Sequence, residues 1–185
     1  MSEFSGAATT AVADARSYTA AILGTLGDRD PFEVLRATPA LVRDAVAGVP
    51  PRVVATPELP GKWSMRQVAQ HLADAELVGA FRYRMILAHD RPPLQGYDQD
   101  LWADRLRYGD CDLAGALEQF GALRAANLRL LERTTPAERL RVGVHAERGE
   151  ESIAHLVRMY AGHDLVHLRQ LARIQRAVAP TSVSG

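Results

Sequence analysis

Apolar residues recur at steps of three and four along most of the chain, the spacing that keeps one helix face against a core. Tyr18, Ile22 and Leu26 form a first short stripe that stops at Gly27. Asp30-Pro31 has the chemistry of a cap and first turn, and Phe32, Leu35, Leu41, Val42 and Val46 follow as apolar positions of a second helix. Pro39 lies inside that stretch and predicts a kink or a split, because it has no N–H for the helical ladder. The prolines at 50, 51, 57 and 60 predict an extended connection between Gly48 and Gly61.

Ser64 and Gln67 have the spacing of a capping box, and they open a helix predicted to run to about His89. Its inward stripe reads Val68, His71, Leu72, Ala75, Val78 and Arg82. Residues 90–110 read as a polar loop with Tyr97, Trp102 and Tyr108 embedded in it. Leu113, Leu117, Phe120, Leu123, Leu128 and Leu131 mark another long helix, ending before Pro136. The last helix is predicted from about Ser152 to Ala177, with Leu156, Tyr160, His163, His167, Gln170 and Ile174 on one stripe. Only Arg141–His145 alternates as a strand would. The pattern predicts an all-α fold, a four-helix bundle with an additional N-terminal helical segment. Residues 1–185 form one domain, with an ordered core over about 12–178 and frayed ends.

Composition narrows the classes of function. Hydrophobic residues at 47% and charged residues at 24% are the balance of a chain that folds around a core. The 22 basic residues are matched by 22 acidic ones, which argues against a nucleic-acid partner, since phosphate binding draws on a surplus of Lys and Arg. No apolar run approaches the roughly 20 residues of a membrane span, and the first residues lack the pattern of a secretory signal. A cytoplasmic protein is expected. The lone Cys111 has no partner for an internal disulfide, and a buried or incidental thiol is the expected reading.

The candidate chemistry lies in the last helix. His163 and His167 are one turn apart on the stripe that also carries core residues, so both rings point inward and can reach one ion. A helical histidine pair alone is a weak signal, more often two hydrogen-bonded imidazoles at the core edge than a metal site. His71, on the inward stripe of another helix, strengthens it. Three desolvated imidazoles are costly unless a divalent cation compensates them, and three neutral nitrogen ligands leave a coordination position open. Asp164, Gln170 and Glu76 are candidates to orient the imidazoles through their free ring nitrogens. Arg82 on the inward stripe can anchor a carboxylate substrate or pair with a core Asp or Glu. Asp74 reads as solvated or as a neighbour of the ligands, His145 as a loop residue able to fold over the site, and His155 as rotated off it. His89, about 27 Å along the helix from His71, is too far to share its ion. No residue is assigned as catalytic.

Pro60-Gly61-Lys62-Trp63-Ser64, then Val68 and His71-Leu72-Ala73-Asp74-Ala75-Glu76, resembles the "KWS…HLADxE" signature of the DinB-like superfamily, and more closely its YfiT-like branch. Tyr97-Asp98, followed by Trp102, is similar to that branch's "Y-D-x-x-x-W" loop, and Tyr160, His163 and His167 to its "Y-x-x-H-x-x-x-H" helix. The similarity extends over most of residues 18–175. It implies a four-helix bundle holding one divalent ion, with zinc or nickel the expected metal, on His71, His163 and His167. It also implies a homodimer and a small-molecule substrate. Members of this branch are described as metal-dependent hydrolases, and some relatives as S-transferases using low-molecular-weight thiols. Arg82, Tyr97, Trp102 and Tyr160 are then the candidates to line a substrate pocket. Three functions follow: metal-dependent activation of a thiol for S-transfer to a small electrophile, activation of water for hydrolysis, and non-catalytic binding of a metal or small ligand in stress.

Overall fold

The computed structural model of the protein describes residues 17–178, so the frayed ends expected from the sequence lie outside the described residues. Helix α1 occupies residues 17–26, and α2 spans Pro31–Val46. Asp30 caps α2 as its chemistry predicts, its carboxylate accepting from the N–H groups of Phe32 at 2.7 Å and Glu33 at 3.1 Å. Pro39 does not split this helix, which continues through it. The carbonyl that the proline leaves without a donor, that of Leu35, accepts instead from Arg124 at 2.8 Å. Leu41, one of the apolar positions of this helix, is exposed.

The proline-rich connection is not wholly extended. It contains a one-turn helix, α3, at Pro51–Val54, with Pro51 in the first turn, where a missing N–H costs nothing. Helix α4 runs over Met65–Ala88 from the Ser64–Gln67 capping box. The stretch read as a polar loop is also more structured than expected. It holds strand β1 at Pro93–Leu94, helix α5 at Gln99–Arg105 and a 3-10 turn at Tyr108–Asp110. Asp98 starts α5 by accepting from the N–H groups of Asp100 and Leu101. Helix α6 spans Leu113–Glu132, the short α7 Pro136–Arg139, and α8 Ile153–Val178.

Helices α2, α4, α6 and α8 make a four-helix bundle in which α4 and α2 each pack on both α6 and α8. Between α7 and α8 lie β2, Val142–His145, and β3, Gly149–Ser152. β2 pairs parallel with β1 and antiparallel with β3, closing one end of the bundle with a small sheet. The alternation at 141–145 was its faint signal. The bundle interior is divided in two. One apolar cluster gathers Leu35, Tyr83, Ile86, Leu128 and Leu156, and the other Val42, Leu72, Phe120, Leu171 and Ile174. Between them each helix contributes a buried polar residue, Thr38, Glu76, Arg124 and Asp164. No helix among the described residues is long and apolar enough to cross a membrane.

Candidate metal centre

His71 on α4 meets His163 and His167 on α8. The stripe that turns α8 inward brings both of its histidines to the bundle interior, and His71 faces them. His71 Nε2 lies 3.0 Å from His163 Nε2, and His167 Nε2 lies 3.1 Å from that same atom. One sp² nitrogen has either one proton or one lone pair, so His163 Nε2 cannot form two good hydrogen bonds at once. A cation accepting a lone pair from each ring resolves the crowding. An ion with ~2.0–2.1 Å bonds to imidazole nitrogen at tetrahedral angles separates its ligand nitrogens by roughly 3.3 Å, close to the two short distances, and all three ligand atoms lie within 4.8 Å of one another.

The protonation of the rings suits ligation. Gln170 Oε1 lies 2.8 Å from His167 Nδ1, so that nitrogen donates and the Nε2 lone pair is free for the centre. Burial pushes His167 down to about 4. His71 and His163 are held well below the usual histidine range, first by burial and then by the neighbouring imidazoles. All three are neutral near pH 7. The Nδ1 atoms of His71 and His163 are buried without a hydrogen-bond partner, so in these two rings nothing else competes for the tautomer that leaves Nε2 free. Trp63 packs over the centre, its ring 4.8 Å from His71 and 6.4 Å from His167, stacked on the latter.

The carboxylates expected beside the imidazoles are engaged elsewhere. Asp164 accepts from Arg124 at 2.6 Å, and Glu76 pairs with the same guanidinium at 2.8 Å. Asn127 Nδ2 also donates to Glu76, at 2.7 Å. Burial raises the Asp164 carboxyl, while Arg124 opposes that shift. Asp74 accepts from the Tyr108 hydroxyl at 2.6 Å and from Gln70 at 3.2 Å. Arg124 was not singled out by sequence reasoning. Its signal was available, since 120, 124, 128 and 131 share one helical face and Arg124 is the only charge among them. Cys111 is half-buried, its thiol pushed up by burial and placed near the Arg66 carbonyl. His89 is exposed, and His155 lies 4.0 Å from Glu151, so neither is among the converging nitrogens.

The family profile of the DinB superfamily matches residues 35–171. The chain belongs to the DinB superfamily. It is 27% identical over 146 residues to YfiT of Bacillus subtilis, named as a proposed metal-dependent hydrolase, covering 77% of this chain and 82% of that protein. A protein of Bacillus licheniformis with the same description is 31% identical over 140 residues, 74% of this chain and 78% of its own length. The solved structure of Bacillus subtilis YfiT, described as having an unusual four-helix bundle topology, superposes with a TM-score of 0.75 at 24% identity, over 79% of this chain and 84% of that one.

Beside the histidines, this DinB-superfamily chain has a cleft of about 610 Å³ that reaches His163. Arg82, Tyr97 and Tyr160 line it, as does His145 from β2, while Trp102 stands behind Tyr97 at 4.4 Å between ring centres. Tyr18 and Ile22 of α1 form part of its wall. Burial pushes the Tyr97 phenol up to about 12 and raises that of Tyr160, so both are neutral hydrogen-bonding groups. Gly79 makes room for Tyr160, since a Cβ there would sit 2.8 Å from the tyrosine ring. Arg148 and Glu151, also in the cleft wall, form an ion pair of 2.6 Å. Neither stood out in the sequence, because Arg148 lies in the turn between β2 and β3 and Glu151 on β3, a hairpin that the helical pattern hides.

Proposed function

We propose that the protein is a metal-dependent enzyme acting on small molecules, and that it activates a low-molecular-weight thiol for transfer to a small electrophile. The observation that carries this reading is the convergence of three neutral Nε2 atoms, one of them on a residue that lines the cleft. A divalent ion held there, zinc or nickel as the family resemblance implies, would supply Lewis acidity that lowers the pKa of a bound thiol. His71, His163 and His167 hold the ion, Gln170 fixes the His167 ring, and Trp63 keeps water from that side. Tyr97 and Tyr160 offer neutral hydroxyls to orient the second substrate, with Trp102 bracing Tyr97.

The preference for a thiol over water rests on the carboxylates. Water activation commonly draws on a nearby general base, whereas a thiol loses its proton more readily. Asp74 and Glu76, the nearest carboxylates along α4, are committed to Tyr108 and Arg124. Hydrolysis is the second reading, favoured by the description of the Bacillus relatives. A cytoplasmic setting, where such thiols are kept reduced, belongs to the thiol reading. So does a homodimer, supported by Leu77 and Phe81, which lie one turn apart on α4 and are 48% and 61% exposed.

The test begins with untagged protein, which should hold one ion per chain and lose it on His163→Ala. Metal-loaded protein is then incubated with a panel of low-molecular-weight thiols and an alkyl halide. Metal-dependent conjugation supports the proposal. Metal-dependent ester hydrolysis without thiol moves the assignment to the second reading, and neither activity leaves a non-catalytic binding protein.

A further inference from the structure

Arg82 is 7% exposed, and no Asp or Glu pairs with it among the described residues. Its Nη2 donates to the Gln95 carbonyl at 2.6 Å, and its guanidinium also meets the Tyr160 hydroxyl. Its Nε is buried without a partner. A buried guanidinium hydrogen-bonded only to neutral acceptors has no direct ion-pair partner for its charge, which is costly. Among the buried charges of the cleft wall, Glu151 is ion-paired with Arg148 and also feels Arg82, so one carboxylate faces two guanidinium groups. Glu147 and Asp98 also line the cleft, but both are exposed to solvent, where their charges are screened. The deep part of the cleft therefore carries one excess positive charge.

His145 stands in the same wall, 2% exposed, its ring packed against Gly96. Its Nδ1 accepts from the N–H groups of Glu147 at 3.2 Å and Arg148 at 3.4 Å. Nε2 therefore carries the ring proton, and this donor too is buried without a partner. Burial first, and then Arg148, lower the imidazole below its ordinary range, so it is a neutral donor near pH 7. The cleft thus has two side chains that each keep one buried donor without a partner in the protein, Arg82 Nε and His145 Nε2.

We propose that this cleft binds the carboxylate of a small organic acid, with Arg82 as its counter-charge and His145 as a second donor. The proposal rests on the cleft being the substrate site of the reading above, and it names the class of that substrate. One excess positive charge matches a monoanion better than a phosphate dianion. The carboxylate takes up the guanidinium's free donor capacity, and the body of the acid extends along Tyr97 toward His163.

The test uses full-length protein, metal-free and metal-loaded, with benzoate, benzamide and phenyl phosphate as probes, followed by calorimetry. Benzoate is expected to bind about ten-fold more tightly than benzamide in both forms, as a charge-assisted hydrogen bond implies. Arg82→Met should remove that preference while the metal content stays at one per chain. Equal binding of acid and amide overturns the proposal, as does tighter binding of phenyl phosphate. Benzoate binding confined to the metal-loaded form also overturns it, because the anion would then sit on the ion. The comparison of acid with amide needs no variant, so it stands if Arg82→Met does not fold. Failure of thiol conjugation alone would sink the thiol reading and leave the carboxylate preference intact.

Discussion

Arg124 donates to the carbonyl of Leu35 across the bundle, at 2.8 Å. That carbonyl is the one Pro39 deprives of its helical N–H, so a side chain of α6 repairs the hydrogen-bond ladder of α2. The same guanidinium holds Asp164 on α8 and Glu76 on α4. One residue thus ties all four bundle helices together.

Replacing Arg124 with Met should leave two buried carboxylates unpaired and the Leu35 carbonyl orphaned. A loss of about 3–5 kcal/mol is expected. Urea unfolding of metal-free protein measures it, and a loss below about 1 kcal/mol, the scale of an exposed ion pair, would show the network to be marginal.

Gln170→Leu should keep the fold and weaken metal binding by roughly 10–100-fold, because the His167 ring loses the partner that fixes its tautomer. Competition with a chelator reads the affinity. Trp63 fluorescence gives an independent signal, since its ring stacks on His167. Unchanged affinity would mean that Gln170 does not orient the ligand.

Metal-free protein should lose stability as pH falls through the window between about 6.5 and about 4. The sign follows from His167, whose pKa is depressed to about 4 by burial, with His71 and His163 shifted the same way. Below pH 6.5 the unfolded chain takes up protons that the folded chain refuses. The stabilisation is complete above that pH and disappears as pH approaches the folded value. His167 alone accounts for roughly 3 kcal/mol across the window. Denaturant titrations at several pH values check this, and His167→Gln should flatten the slope.

Gly162→Ala should push α1 off the bundle. A Cβ at 162 would fall inside van der Waals contact of the Ile22 carbonyl oxygen, a backbone atom that cannot swing aside. Overpacking of this kind costs about 1–3 kcal/mol. Hydrogen exchange should rise over residues 17–26, and benzoate affinity should fall with the loss of the cleft wall that Tyr18 and Ile22 provide. Unchanged exchange there would show that α1 and α8 can separate without cost.

The four bundle helices and the three histidines were legible because both follow a single periodicity. His71, His163 and His167 each fall on a stripe that also carries leucine, valine or isoleucine, and a stripe is local information. What stayed hidden depends on pairing across the fold. Asp164 sits one residue from His163 and reads as its support, yet its partner is 40 residues away on another helix. Pro39 reads as a break because the donor that offsets it belongs to α6. The sheet is hard to see for the same reason, since β1 has two residues and they pair with residues 51 positions further on.

β3 ends at Ser152 and α8 begins at Ile153, with no residue between them. With no loop between them, strand and helix share one uninterrupted backbone. It carries Glu151, ion-paired with Arg148 in the cleft wall, and His163 about 15 Å along the helix at 1.5 Å per residue. One wall of the cleft and two of the three converging histidines are thus built on a single continuous stretch of chain.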